Sequence, residues 1–332
     1  MAEAAATAAR PAGALAHGTA WLVAGRIGSG ALTLLIVSAV IFTITGLLPG
    51  DAAQLALGQS ATPETVAALR AQYGLDQSAP IRYLRWLSGL ATGNLGQSFT
   101  AGMPVSELIA TRLPKSLVLA AVTAAVSVPI ALAIGILCAM WRGSALDRAL
   151  SLATLSMVAV PEFLVATIAV LVFAVKLRWL SALSNAGDIS TVGEFVRAYA
   201  MPVLTLCFVI IAQMARMTRV AVIDQLSAPY VEMAVLKGAK PARVALRHAL
   251  PNAIGPIANA VALSLSYLLG GVVIVETIFN YPGIASLMVD AVTNRDMPVV
   301  QACAMIFCAA YLLLVLVADL VAILSNPRLR HG

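Results

Sequence analysis

Residues 116–140 read SLVLAAVTAAVSVPIALAIGILCAM and contain no charged side chain. A helix that crosses the hydrocarbon core of a bilayer needs about 20 mostly apolar residues, because lipid offers no partners for unpaired backbone groups. This stretch meets that length without a charge, so it predicts a membrane-spanning helix.

Similar stretches recur along the chain of 332 residues. Hydrophobic residues make up 61% of it and charged residues 11%, and the mean hydropathy is +0.93. Soluble domains carry roughly 25% charged residues. We therefore predict an all-α polytopic membrane protein whose transmembrane domain, residues 27–324, contains six spans. The predicted spans are residues 27–48, 116–140, 146–175, 201–223, 257–278 and 299–324. In the fourth span, Arg216 and Arg219 are expected to reach the interface by snorkelling.

The basic residues indicate how the chain is oriented. With the N-terminus in the cytoplasm, most Lys and Arg side chains fall on the cytoplasmic side, as expected for membrane proteins. Residues 1–26 then form a flexible cytoplasmic N-terminal tail, and residues 325–332 form a second cytoplasmic tail. Residues 225–256 form a cytoplasmic loop, and residues 50–115 form an outer subdomain of short helices. The net charge of +6 is thus a topology signal, and no nucleic-acid partner is predicted.

The sequence lacks the common catalytic motifs. It has no G-x-x-x-x-G-K-[ST] phosphate loop, no H-E-x-x-H zinc motif and no nucleophile elbow. The histidines lie in the tails or in the cytoplasmic loop, and the four cysteines lie inside predicted spans, where they are expected to act as small buried hydrophobes. We therefore predict that the protein is not an enzyme and holds no catalytic residue, cofactor or metal of its own.

The cytoplasmic loop contains EMAVLKGAKPARVALRHALP, residues 232–251. Its pattern predicts a helix over Tyr230–Leu236, a turn at Gly238 and a second helix over Pro241–Ala249. Pro251 and Pro256 are expected to end helical structure before the fifth span. A rigid hairpin with apolar and basic groups is suited to fill a groove on a soluble partner. The alternative is a basic loop that only sets the topology.

The spacing E-x-A-x-x-x-G-x(9)-H-x-L-P in this loop resembles the EAA loop of ATP-binding-cassette (ABC) importer permeases. Further motifs resemble the dipeptide/oligopeptide/nickel permease family, and its B-type member in particular. These motifs are LPGD at 48–51, YGLD at 73–76, YLRWL at 83–87, GNLGQS at 93–98, RLPKS at 112–116, ETIFNYPG at 276–283, RDMP at 295–298 and NPR at 326–328. The resemblance covers about residues 25–330.

The resemblance implies a type I ABC importer permease fold in the bacterial cytoplasmic (inner) membrane. The implied partners are a second homologous permease in a heterodimer, two ABC ATPase subunits that bind ATP and Mg²⁺, an extracytoplasmic substrate-binding protein, and membrane lipid. The expected function is the import of short peptides (dipeptides or oligopeptides), driven by the ATPase subunits through the EAA loop. The alternatives are nickel chelates, glutathione or oligosaccharides carried by the same machinery, and a stand-alone secondary transporter or channel as a different class.

Three groups of site residues follow from this interpretation. The expected ATPase-coupling residues are Tyr230, Glu232, Ala234, Lys237, Gly238, Arg243, Arg247, His248 and Pro251. The expected docking residues for the binding protein are Asp51, Asp76, Arg85 and Trp86, the alternative being an ordered lid without contacts. Pro161 and Glu162 are expected on the translocation path, because a carboxylate in mid-span normally faces a protein interior or a water-filled cavity. The alternative for Glu162 is a structural carboxylate, either paired with polar groups between helices or protonated.

Overall fold

A computed structural model describes residues 12–47, 52–184, 191–240 and 243–325. Helices and their connections make up these ranges, and no sheet occurs within them. In chain order the helices are α1 (Ala12–Leu47), α2 (Ala52–Leu57), α3 (Pro63–Tyr73), α4 (Ala79–Thr92), α5 (Val105–Met140), α6 (Ala145–Ala159), α7 (Glu162–Ala169), α8 (Val192–Leu226), α9 (Pro229–Leu236), α10 (Leu250–Ile278), α11 (Ile284–Thr293) and α12 (Met297–Ser325).

Five helical segments of the described chain are long and apolar enough to cross a membrane. They contain α1, α5, α8, α10 and α12, and the bent pair α6–α7 makes a sixth crossing if it counts as one span. The predicted all-α polytopic fold is therefore confirmed. The short helices α2–α4 lie at the end of α1, whereas α9 follows the end of α8. We call the two sides of the membrane the α4 side and the α9 side.

Two predicted boundaries need correction. Helix α1 begins at Ala12, so residues 12–26 are helical and do not belong to a flexible tail. Alanine is the best helix former, which explains an Ala-rich helix that continues beyond the apolar span. Helix α5 begins at Val105, so residues 105–115 belong to this helix and not to a separate outer subdomain. Its first turns are held by packing, because Val105 and Ile109 are buried against α11 and α12.

The predicted third span, residues 146–175, is not one straight helix. Helices α6 and α7 meet at an angle of 95° around Val160 and Pro161. Proline has no backbone N–H and its ring clashes with the preceding turn, so the chain bends there and restarts at Glu162. After α7 the chain continues in π-helical turns over Val170–Lys176.

The prediction that Pro251 and Pro256 end helical structure is wrong. An apolar helical segment runs without a break over Val244–Ile278, with π-helical turns at Val244–Ala249. The side-chain amide of Asn252 donates to the carbonyl oxygen of His248, one turn earlier, at 2.8 Å. The predicted second helix of the loop therefore forms the first turns of the fifth span.

Arg219, which was expected to reach the interface by snorkelling, pairs with a carboxylate at the turn between α5 and α6. Its guanidinium donates from Nε and Nη2 to both carboxylate oxygens of Asp147, at 2.8 Å each. Asp147 also accepts from the backbone N–H of Gly143, and Ser144 caps the start of α6. A bidentate pair of this kind fixes geometry as well as charge, so it holds the start of α6 against α8.

The central contact of the bundle is between α5 and α8, where Gly135 allows a close approach. A Cβ atom at Gly135 would lie 2.6 Å from the Cβ of Thr218 and 2.7 Å from the carbonyl oxygen of Ala215. Small residues at helix contacts are common in membrane proteins, because they let backbones pack closely where no hydrophobic effect drives helices together.

Two buried carboxylates organise the connections on the α4 side. Glu276 is fully buried and accepts from the hydroxyl of Ser116 and from the backbone N–H groups of Ala285 and Ser286, at 2.8 and 3.0 Å. It therefore caps the start of α11 from the end of α10, and it leaves no room for a side chain at Gly283. A charged acceptor at a helix N-terminus satisfies N–H groups that have no partner within the helix.

The second carboxylate is Asp296, which binds the loop that precedes α5. It accepts from the backbone N–H of Phe99 at 3.0 Å, and from the N–H and hydroxyl of Thr100 at 3.2 and 2.7 Å. The hydroxyl of Ser98 donates to it as well. The start of α12 is thereby tied to a loop that lies almost 200 residues earlier in the chain.

Nearby, Tyr281 donates its hydroxyl to the backbone oxygen of Lys115 at 2.8 Å, and the hydroxyl of Tyr199 lies within hydrogen-bond distance of the Tyr281 hydroxyl oxygen, at 2.9 Å. Burial raises the pKa of the Tyr281 hydroxyl, so it stays protonated and able to donate. These bonds join the connection after α10 to α5 and α8.

We predict that Gly135→Ala destabilises the bundle by about 1–3 kcal/mol, because the added methyl group overlaps the backbone of α8. The measurement is the midpoint of thermal unfolding of the purified protein in detergent. Gly28→Ala is the control, since a Cβ there meets nothing within 4 Å. Equal midpoints for Gly135→Ala and the unmodified protein would contradict the close α5–α8 contact.

We also predict that Asp296→Ala frees the Ser98–Thr100 loop, because its donors lose a charged acceptor. Limited proteolysis should then cut near Thr100 much faster than in the unmodified protein. The exposed Asp290 provides the control, and Asp290→Ala should leave the digestion pattern unchanged. A loop that remains resistant in Asp296→Ala would show that other contacts hold it.

Candidate functional site

The region predicted to couple to a partner contains α9 and the turn after it. Gly238 has φ +80, a left-handed conformation that side chains other than glycine rarely adopt. Its N–H donates to the carbonyl of Val235 at 2.9 Å, and the N–H of Ala239 donates to Ala234 at 3.1 Å. A Cβ at Gly238 would meet nothing within 4 Å, so backbone conformation and not space requires glycine here.

Helix α9 is anchored on the start of the fifth span. Val231 is buried together with Val244 and Ala249, and Ala234 packs against this cluster. The hydroxyl of Tyr230 donates to the side chain of Gln225 at the end of α8, at 2.9 Å. Apolar burial therefore holds one face of α9 to the helical segment that continues into α10.

The opposite part of α9 presents apolar side chains to the exterior. Met233, Val235 and Leu236 are exposed, and Leu236 retains 75% of its accessible surface. Basic residues surround them, since Lys237, Lys240 and Arg243 are also exposed. Contiguous exposed apolar side chains with a charged rim are typical of interaction surfaces. We call Met233, Val235 and Leu236 the α9 patch.

The other predicted coupling residues lie around this patch. Glu232 and Arg247 are exposed, as is Pro251 at the start of α10, whereas Ala234 and His248 are half-buried. The structure thus brings together the predicted residues from Tyr230 to Lys237 and those from Arg243 to Pro251, but Pro241 lies outside the described residues. Along α9, Val231 is buried whereas Val235, one turn later, is exposed.

Glu162 begins α7 at the bend in the third span. It is half-buried, and its carboxylate lies against Gly271 of α10, where a Cβ would be 2.6 Å from Oε1. No hydrogen bond or ion pair joins it to any residue in the described ranges. Pro161, the residue before it, is exposed. The carboxylate therefore lies at the contact between two spans without a counter-charge from the described chain.

Tyr267 lies on the same face of α10 as Gly271, one helical turn earlier. It retains 66% of its accessible surface, near the middle of the predicted fifth span. Tyrosines in membrane proteins concentrate at the interfaces, so a mid-span exposed tyrosine is unusual. Tyr267 is not among the predicted site residues, although its position in the middle of an apolar run is a usable signal in the sequence.

The described residues among those predicted to dock a binding protein lie in α4 and just after α3. Asp51 lies outside the described residues, and Asp76 is exposed and pairs with Arg70 at 3.1 Å. Arg85 and Trp86 line a cavity of about 890 Å³ between α1, α3, α4 and the start of α12. No cluster of three or more potential metal ligands occurs in the part of the chain that the structure describes.

Comparison with known proteins places this arrangement in a family. Residues 131–331 match the family model of the binding-protein-dependent transport system inner membrane component, and residues 20–120 match that of the N-terminal part of such membrane components. The chain belongs to the binding-protein-dependent permeases of ABC importers. The permease is thus the membrane subunit of an ABC importer, is not itself catalytic, and resides as a multi-pass protein in the inner membrane.

Relatives match nearly the whole permease. It is 35% identical over 306 residues to a probable peptide ABC transporter permease, y4tP, of Sinorhizobium fredii, covering 92% of this chain and 98% of the relative. It is 36% identical over 300 residues to the glutathione transport system permease GsiC of Salmonella paratyphi A, covering 90% of this chain and 95% of the relative. The resemblance to the dipeptide/oligopeptide family and the type I permease fold are therefore confirmed.

Proposed function

We propose that this permease imports short peptides and that separate ATPase subunits drive it through the α9 patch. The observation that supports this proposal most directly is that α9 has an exposed apolar patch and also a side chain that is buried against the start of the fifth span. Met233 and Leu236 are exposed, whereas Val231 of the same short helix is buried against Val244. A partner that fills its groove with the patch would therefore move the start of the fifth span with it.

The remaining coupling residues take supporting roles in this proposal. Gly238 sets the turn that positions the patch, and the exposed Lys237, Arg243 and Arg247 supply charge at its rim. ATP and Mg²⁺ are bound by the partner subunits. Closure of the ATPase pair favours one conformation of the permease because the docked patch interacts differently with the two states.

The proposal places the α9 side and both chain termini in the cytoplasm. A second homologous permease forms the other half of the pathway in a heterodimer. The extracytoplasmic binding protein docks on the α4 side, where α3 and the exposed Asp76–Arg70 pair face outward. The basic residues around α9 are consistent with this orientation, since Lys and Arg are retained on the cytoplasmic side.

The proposed translocation face contains Glu162, Gly271 and Tyr267. A half-buried carboxylate without a counter-charge in the described chain suits the positively charged amino group of a peptide. The bend at Pro161 sets the carboxylate at the start of a helix near the middle of the third span. Glutathione, itself a short peptide, is the second candidate cargo, because the relatives include a glutathione permease.

We predict that Gly238→Asp abolishes substrate-stimulated ATP hydrolysis in the assembled complex, because the strained turn no longer presents the α9 patch. The matched control is Gly93→Asp, which has a similar φ of +78 and equally open surroundings but lies on the α4 side. Both variants should insert into the membrane in normal amounts. Normal stimulation in Gly238→Asp would contradict coupling through this turn.

We further predict that the face around Tyr267 is accessible to water. In a variant without native cysteines, Tyr267→Cys in the assembled complex should react with a charged, membrane-impermeant thiol reagent, and substrate should slow the reaction. Leu313→Cys is the control, since Leu313 is exposed to a similar extent near the middle of α12. Equal reactivity at the two positions would remove the basis for a translocation face here.

Replacement of the carboxylate tests the same face through transport. Glu162→Gln should lower peptide uptake about tenfold, the equivalent of ~1.4 kcal/mol of lost interaction with a cationic amine. The stimulated ATPase activity of this variant separates a cargo effect from a coupling defect. Unaltered uptake would leave Glu162 with a structural role only.

A further inference from the structure

Helix α4 lies unusually deep for an element outside the spans. The hydroxyl of Tyr83 hydrogen-bonds the hydroxyl of Ser38 in α1 at 2.9 Å. The ring of Phe42 contacts those of Tyr83 and Trp86, with centroids 5.4 and 5.9 Å apart. A helix rises ~1.5 Å per residue, so Ser38 lies about 14 Å before the end of α1 at Leu47. Helix α4 therefore runs beside the apolar part of the first span.

The outer surface of α4 is apolar where it would meet lipid. Ile81 and Leu84 are three residues apart, so they share one face, and Leu84 retains 63% of its accessible surface. Arg82 and Arg85 have the same spacing beside them. A helix with an apolar stripe and flanking arginines is typical of elements that lie in the membrane interface.

The cavity next to this helix is cationic and contains unused donors. Its wall includes Arg82, Arg85 and Trp86 from α4, and Gln301 of α12 donates to Thr45 of α1 at 2.7 Å on the same wall. The Nε of Arg82 and the Nε1 of Trp86 are buried without a hydrogen-bond partner. The guanidinium of Arg82 lies 5.9 Å from the ring centre of Phe42, whereas no carboxylate of the described residues pairs with Arg82 or Arg85.

A buried donor without an acceptor is costly, and a pair of arginines suits an anionic group with several oxygens. The volume of about 890 Å³ is within the range of small-molecule sites. The cavity is lined on one side by α1 and α12, whose spans are mostly unburied. The ligand is therefore expected to be an anion that approaches from the bilayer.

We propose that this cavity binds an anionic phospholipid from the leaflet on the α4 side. The phosphate lies between the guanidinium groups of Arg82 and Arg85, and the acyl chains run along Ile81, Leu84 and the lipid-facing side of α1. The depth of α4 and its exposed apolar face favour a lipid over a soluble phosphate or a protein carboxylate. Lipid binding in this cavity does not depend on the proposed cargo or on the proposed coupling.

The test uses the full-length permease in nanodiscs that contain equal amounts of phosphatidylglycerol and phosphatidylcholine. Native mass spectrometry after release from the disc counts the lipids that stay bound. The unmodified permease should retain phosphatidylglycerol in preference to phosphatidylcholine. Arg82→Gln and Arg85→Gln should each lower that preference about fivefold, the effect of one basic side chain at an anionic surface.

The control is Arg197→Gln, which removes an exposed arginine near the start of α8 and should keep the preference. Arg85 is exposed, so Arg85→Gln tests the site even if Arg82→Gln fails to fold. Equal retention of both lipids by the unmodified permease, or no effect of Arg85→Gln, would overturn the proposal.

Two further arms identify another occupant. In the first arm, inorganic phosphate alone is added to the delipidated permease. If it raises the thermal midpoint of the unmodified protein but not of Arg85→Gln, and if it removes the lipid preference, the site binds a soluble anion. If Arg85→Gln instead weakens the binding-protein complex while lipid retention is unchanged, the cavity is a protein docking site. Either result would replace the lipid assignment.

Discussion

Lipid supplies no hydrogen-bond partners, so this chain must satisfy its own backbone groups wherever a helix ends or breaks near the membrane. Buried carboxylates accept hydrogen bonds from several of these backbone groups. Glu276 caps α11, and Asp296 holds the loop before α5. Asp147, paired with Arg219, binds the turn between α5 and α6. Each joins segments that are distant in the sequence, and each is compensated by charged or backbone donors, as buried charges require.

The same interactions explain several of the family motifs. ETIFNYPG contains Glu276, Tyr281 and the glycine that makes room for the carboxylate. RDMP contains Asp296, and its partner loop contains GNLGQS. These motifs therefore build the connections on the α4 side. In the proposed function, coupling and transport depend on other residues, chiefly those of the α9 turn and the middle of the spans.

One continuous helical segment passes all of these places. It starts at Val244 against α9, passes Tyr267 and Gly271 beside Glu162, and ends at Glu276 under the start of α11. In the proposed function, this segment moves as a unit, with the α9 turn at one end and a buried carboxylate at the other. The geometry therefore offers a mechanical route from the α9 patch to the proposed translocation face and to the connections on the α4 side.

The sequence by itself determined that the protein is all-helical and polytopic, because long uncharged runs have few other stable solutions. It also located the α9 turn, because Gly238 and the spacing around it are local features. It could not reveal that residues 12–26 continue α1, that the third span bends at Pro161, or that the fifth span continues through Pro251. Hydropathy indicates which residues can lie in the hydrocarbon core of the bilayer. A helix can extend beyond those residues, or bend within them, without a change in hydropathy.

Only the tertiary structure decided which residues share a site. Arg219 pairs with Asp147, Glu162 meets Gly271 from another span, and Arg82 joins Trp86 in a cavity lined by α1 and α12. These pairings depend on the angles and rotations of packed helices. Side-chain packing between distant segments sets those angles, and no local run of residues encodes them.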